Sequence, residues 1–263
     1  MAAPGVLGRI LAAKVGEVAG LRAGLDPQRL RAQALAAPPA MDFAAALMAR
    51  PIAIIAEIKK ASPSAGAIRP GLNVAGQARA YAAGGAAALS VLTDAPFFGG
   101  SLADLAAARG AVGLPILRKD FIIDPLQLHQ ARLAGADAAL LIAAALTPSQ
   151  LADLFAEARA VGLTPLIEVH AEAELGPVLA LDPPLVGVNN RDLASLAVDL
   201  ATAERLRRII PDHIPVVAES GVAGPADVAR LAAAGIRAFL VGTALMRSPD
   251  PALALRALAE AAR

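Results

Sequence analysis

A (β/α)8 barrel of the TIM type is predicted for this 263-residue chain by three features of its sequence. From Ile52 onward, eight short apolar runs alternate with amphipathic stretches. Each run is too short for a buried helix and reads as a parallel strand covered on both faces. The length matches the roughly 250 residues that such a barrel typically needs. No GxGxxG follows the first run, which disfavours a dinucleotide-binding sheet.

The segment before Ile52 stands outside this alternation. Val6, Leu7, Ile10, Leu11, Val18 and Leu21 mark one apolar helical face, a Pro-Pro break follows at Pro38, and a second short helix is expected around Phe43 to Met48. Residues 1–50 are too few to hold a core of their own, so they extend a single barrel domain spanning 1–263. The strands are then IAIIAEI from Ile52, AALSVL from Ala87, PILR from Pro115 and AALLIA from Ala138. They continue with PLIEV from Pro165, LVGVN from Leu185, PVVAE from Pro215 and AFLVG from Ala238. Helical patterns fill the gaps, for example from Ser149 and from Pro225. The latter ends at Gly235, with Pro inside the start and Gly past the end as helix punctuation.

Composition narrows the function. Twenty-four basic and 23 acidic residues leave a net charge of +1, which argues against a nucleic-acid tract or an anionic-membrane binder. Mean hydropathy of +0.57 reflects alanine spread along the chain rather than any apolar stretch of the roughly 18 residues a membrane span needs. Arg9, Lys14 and Glu17 interrupt any signal-peptide core, so a cytoplasmic protein is expected. There is no cysteine, and the three histidines lack i, i+4 spacing, so neither a thiolate nucleophile nor a zinc site is expected.

Chemistry in such barrels sits at the C-terminal ends of the strands. Strand alternation puts Glu57 and Lys59 on the face of Ala53 and Ile55, pointing into the mouth, and Lys119 on the face of Leu117. Glu168, Asn189 and Glu219 end three later strands, with Arg191 two residues beyond Asn189. One such glutamate alone reads as a salt-bridged framework residue. Several around one mouth read as a site, because burying them serves stability poorly. Glu219-Ser220-Gly221 and Gly242-Thr243 follow the last two strands, where barrels of this type bind phosphate. Ser62 adds a hydroxyl from the first loop. Phe98 and Phe121 fall just after strands, where they could grip a planar ring. His129, His170 and His213 have no evident carboxylate partner in the sequence and are read as structural.

AEIKKASPSAG, LSVLTD, FFGGS, LRKDFIID, GADAALLI, LIEVH, GVNNRDL, AESGV and LVGTALMR together resemble the indole-3-glycerol phosphate synthase family over nearly the whole chain. In that family the N-terminal helices lie across the barrel mouth. Two departures are visible: Ala65 stands where many relatives carry lysine, and Gly71-Leu72-Asn73 replaces a more usual Asp-Phe helix start. The resemblance implies closure of the pyrrole ring of 1-(2-carboxyphenylamino)-1-deoxyribulose 5-phosphate, with loss of carbon dioxide and then water. It implies a phosphosugar substrate, no metal or organic cofactor, and a chain acting as a monomer. Carried over by motif, Lys119 is the general acid, and Lys59 pairs with the substrate carboxylate and serves in dehydration. Glu168 or Glu57 is the base, while Glu219 and Asn189 orient lysines and hydroxyls. Ser62, Ser220, Gly221, Gly242 and Thr243 line the phosphate; Phe98, Phe121, Arg191 and Leu193 surround the aromatic end.

Two other readings compete. Phosphoribosylanthranilate isomerase is a related phosphosugar barrel, but that family uses a cysteine base that this chain lacks. A non-catalytic sugar-phosphate-binding barrel should have lost Lys59, Lys119 or Glu168 first, and all three are present.

Overall fold

The structure is a computed structural model that describes residues 5–63, 65–192 and 195–261. Eight parallel strands close into one barrel in chain order. They are β1 (Ala53–Ile58), β2 (Ala88–Leu92), β3 (Ile116–Lys119), β4 (Ala138–Ile142), β5 (Thr164–Val169), β6 (Val186–Asn189), β7 (Val216–Glu219) and β8 (Ala238–Val241). The circle closes where Ile54 of β1 registers with Phe239 of β8. Every predicted apolar run therefore forms a strand.

Strand parity divides the core in two. Ile54, Ala56, Ile58, Leu89 and Val91 face outward and pack beneath the helices. Ala53, Ile55, Leu117, Leu140, Leu166, Val217 and Leu240 face inward and fill the barrel. Burial on both faces explains why the runs show no polar alternation. The helices begin where side chains can satisfy their free N–H groups. Asp124 and Thr147 cap helices Pro125–Leu133 and Pro148–Ala160, each with a glutamine three residues on bonding back to the cap. Asn73 caps Val74–Ala83 by accepting from Gly76 N at 2.9 Å, so the unusual start of that helix keeps a competent cap.

The N-terminal segment forms three helices: α1 (Gly5–Gly24), α2 (Pro27–Leu35) and α3 (Phe43–Met48). Only α1 covers the mouth. There Val6, Leu7 and Ile10 line the cavity described below. Helix α2 packs on Pro125–Leu133 outside the barrel. It was not evident in the sequence because it buries only Leu30 and Ala34, too few to reveal a period, although Asp26-Pro27 is a sound helix start. Helix α3 closes the opposite end: Phe43 and Leu47 are fully buried among Ala53, Ala87, Ala138 and Leu185. The extension thus caps both ends of the barrel rather than the mouth alone.

Candidate active site

A cavity of about 490 Å3 opens at the C-terminal ends of the strands. Glu57, Lys59, Lys119, Glu168, Asn189 and Glu219 all line it, together with Ser62, Phe98, Phe121, Arg191, Ser220, Gly221, Gly242 and Thr243. Leu193 lies outside the described residues.

Barrel register sorts the ionic groups into two clusters. Lys59 Nζ lies 2.6 Å from Glu57 Oε1, two residues back on the same strand face. Lys119 Nζ donates to Glu168 Oε2 at 2.6 Å and to Glu219 Oε2, reaching across the mouth. Asn189 Nδ2 donates to Glu168 Oε1 at 3.1 Å. Glu219 registers with Asn189 on one side and Leu240 on the other. Its carboxyl has space only because residue 187 is glycine: a Cβ there would run into Glu219 Oε1. Gly242 does the same for the other cluster. A Cβ at that position would collide with Glu57 Oε1 and lie 2.9 Å from Lys59 Nζ. Gly242 has negative φ, so space rather than backbone conformation requires glycine there.

The two carboxyls on Lys119 differ in character. Burial pushes Glu168 up, but Lys119 and then His170 outweigh it and hold it well below the ordinary carboxylate range. Burial pushes Glu219 up to about 8; Lys119 opposes this and Glu168 reinforces it. Geometry explains the asymmetry. Glu168 accepts from Lys119 and Asn189 and has the His170 ring within ion-pair distance at 3.2 Å, whereas Glu219 Oε1 is buried with no hydrogen-bond partner among the described residues. Lys119 itself is disfavoured by burial, yet Glu168, Glu219 and Glu57 together raise it above the ordinary lysine value. Beside the Lys119 ammonium, the surroundings therefore favour the charged form at Glu168 and the neutral form at Glu219. A downward pull on Lys119 by Lys59 does not prevail.

The remaining lining divides into two ends. Ser220 and Gly221 turn with positive φ of 55° and 86° after β7, and Thr243 opens the short helix Thr243–Arg247 after β8. Ser62 sits nearby on a two-stranded hairpin, Ala61–Ser62 with Gly66–Ala67, and its hydroxyl accepts from Ala65 N at 3.1 Å. This end offers backbone N–H groups to an anion, with Arg247 supplying a cation at the rim. At the other end Phe98 and Phe121 face each other with ring centroids 6.1 Å apart, beneath Leu7 and Ile10. The Arg191 guanidinium, which also lines the cavity, donates to Leu196 O at 2.8 Å.

Comparison with known proteins then decides the family. A family profile described as Indole-3-glycerol phosphate synthase matches residues 7–258. The chain belongs to the indole-3-glycerol phosphate synthase family. "Indole-3-glycerol phosphate synthase 2" of Ralstonia nicotianae is 48% identical, over 98% of this chain and 97% of its own length. The synthase of Rhodopirellula baltica is 51% identical, over 90% and 92%. That of Azospirillum brasilense is 54% identical, over 78% of each chain. An N-acetylmannosamine-6-phosphate 2-epimerase from Clostridium perfringens superposes with a TM-score of 0.61 at 15% identity, over 78% of this chain and 90% of that one, and so shares the fold alone.

Several residues of this synthase-family site escaped sequence reasoning. Gly187 had a signal, being a glycine at an inward-facing strand position. Asn190 is buried, donates to Glu219 O and Ser220 O, and accepts from Ala203 N, bracketing β7 and the following turn. Each histidine has a carboxylate beside it: Glu157 for His129, Asp182 for His213, and both Glu168 and Glu174 for His170. Burial lowers His170, but Glu168 and Glu174 raise it to about 10, so it carries charge beside Glu168.

The Glu219 shift has a measurable consequence. The folded protein holds a proton on Glu219 up to about pH 8 that the unfolded chain releases near the ordinary carboxylate value. Stability therefore falls as pH rises through that window. His170 contributes a slope of the same sign between its ordinary value and about 10. The expected result is a Tm that declines between about pH 6 and 8 in the parent and declines less in Glu219→Gln, the difference reporting Glu219. Equal slopes in thermal melts of the two proteins would refute the assignment.

Proposed function

We propose that the chain is an indole-3-glycerol phosphate synthase, a carbon–carbon lyase of tryptophan biosynthesis, acting in the cytoplasm as a monomer on a phosphosugar. Among the described residues, no helix is long and apolar enough to cross a membrane. The observation that carries the reading is the Lys119 ammonium, held between Glu168 and Glu219 inside a cavity whose two ends suit a phosphate and an aromatic ring. With phosphate at Ser220, Gly221 and Thr243 and the anthranilate ring against the Phe98–Phe121 pair, the ribulose chain spans the lysines.

Ring closure turns the C2 carbonyl oxygen into a hydroxyl, and Lys119 supplies that proton. Its raised pKa keeps the donor loaded. Lys59, charge-matched to Glu57, meets the substrate carboxylate until carbon dioxide leaves with the bonding pair retained by the ring. Loss of the hydroxyl as water then needs an acid at oxygen and a base at the ring-bound hydrogen. Glu168 or Glu57 takes that hydrogen: Glu168 is held ionised, but the contacts that hold it so also lower its basicity, and Glu57 faces the same cavity beside Lys59. Glu219, holding a proton, keeps Lys119 in place without quenching it.

The test is to add 1-(2-carboxyphenylamino)-1-deoxyribulose 5-phosphate and follow indole fluorescence and carbon dioxide release. The expected outcome is turnover that inorganic phosphate inhibits competitively. Binding without turnover would favour the non-catalytic sugar-phosphate barrel instead.

A further inference from the structure

Lys14 is a charged residue on the buried face of the mouth helix. It follows Leu7 and Ile10 and precedes Val18 at helical spacing, and it is only 1% exposed. Its Nζ lies 2.8 Å from Glu17 Oε2, 2.9 Å from Asp120 Oδ1 and 3.0 Å from Asp94 Oδ2. Burial opposes charge on Lys14, but Asp120 and Glu17 more than compensate and hold it protonated. Asp94 and Asp120 are themselves buried, and the Arg118 guanidinium lies 2.9 Å from Asp120 Oδ2. Lys14, Arg118, Asp94 and Asp120 thus form a buried group whose charges sum to zero.

The two aspartates hold the loops that carry the aromatic pair. Asp94 Oδ1 accepts from Phe97 N at 2.8 Å, capping the turn Ala95–Phe98. Asp120 Oδ1 accepts from Phe121 N at 2.8 Å and directly follows Lys119. One ammonium therefore joins three pieces: the helix that places Leu7 and Ile10, the loop that places Phe98, and the loop that places Phe121. We propose that Lys14 is a positioning residue for the ring-binding end of the cavity, fixing α1 and the two phenylalanine loops in their substrate-binding arrangement. This rests on the reading of the mouth as the site of indole ring closure, and the parent's own turnover tests that reading separately.

Lys14→Met keeps the stem and removes the anchor. If the closed mouth becomes a minor state at about one part in ten, apparent affinity falls by the same factor. The expected result is a KM about ten-fold higher with kcat within about three-fold of the parent, and faster hydrogen exchange in α1. Arg22, on the same helix, donates to Asp124 at 2.6 Å in the loop that follows Phe121, but its side chain is exposed to solvent and holds that loop more weakly, so Arg22→Met should raise KM much less than Lys14→Met. Lys14→Met also leaves an uncompensated buried carboxylate, so Lys14→Met/Asp94→Asn is measured beside it, restoring zero net charge while keeping the acceptor for Phe97 N. The proposal expects the double variant to regain Tm and retain the raised KM. A parental KM in either folded variant would overturn it, as would a double variant that fails to fold, because Lys14 would then serve charge balance or folding only.

Discussion

Replacing Lys119 with Met is expected to lower kcat by about 10²–10⁴-fold, the usual contribution of a positioned general acid. Closure of the ring develops negative charge on the former carbonyl oxygen, and in the proposed mechanism the donor is Lys119, which Glu168 and Glu219 hold in the cavity. Methionine retains the stem and volume but carries no proton. The fold should survive the change. Removing one partner of a buried ion pair is typically costly because a charge is stranded. Here Glu168 keeps the Asn189 amide and the His170 cation, and Glu219 already holds a proton near neutral pH. Substrate should still bind, since Ser220, Gly221, Thr243 and the aromatic pair are untouched. Lys59→Met, by contrast, should raise KM or slow a later step, because the proposed mechanism pairs its charge with the substrate carboxylate. Single-turnover kinetics on both variants separate these outcomes. Ring closure at the parental rate in Lys119→Met would remove the lysine from its role.

Much of this was legible in the sequence, for a physical reason. A closed parallel barrel buries both faces of each strand, so strands read as unbroken apolar runs and any ionic group at a run's end stands out. Period-2 alternation then places Glu57, Lys59 and Lys119 inside. What alternation cannot supply is partnership. Lys119 and Glu219 are 100 residues apart, and only the register of β3 through β7 brings them together. The sequence therefore lists the ring of charges without saying which carboxyl keeps its proton, a difference set by Asn189, His170 and one orphaned oxygen. Lys14 was hidden differently. A lysine within an apolar helical face reads as an interruption until two aspartates from distant loops are seen beneath it. Phe43 and Leu47 read as one more helix of the extension because nothing local distinguishes the floor of a barrel from its mouth.

Gly242 carries the second large effect, and the structure changes its meaning. As a sequence feature it marks a phosphate-binding turn, which predicts that a bulky residue there raises KM. In the fold it is also the space into which Glu57 and Lys59 project. Any Cβ at 242 meets the Glu57 carboxylate and crowds the Lys59 ammonium, so the ends of both side chains must leave the positions they hold against each other. Overpacking of this kind costs about 1–3 kcal/mol in a well-packed interior. Displacing reacting groups by about 1 Å can lower rate by about 10²-fold. Gly242→Val is therefore expected to lower kcat/KM by about 10²-fold or more, through kcat as well as KM. Gly221 is the control. It turns at φ 86°, and an added Cβ would strike Val198 and Leu200 rather than the ion pair. Gly221→Ala should act on KM and on inhibition by inorganic phosphate, with kcat largely kept. Steady-state kinetics and phosphate inhibition constants for the two variants decide the matter. If Gly242→Val loses only phosphate affinity and turns over at the parental kcat, then Glu57 and Lys59 do not depend on the space that glycine provides.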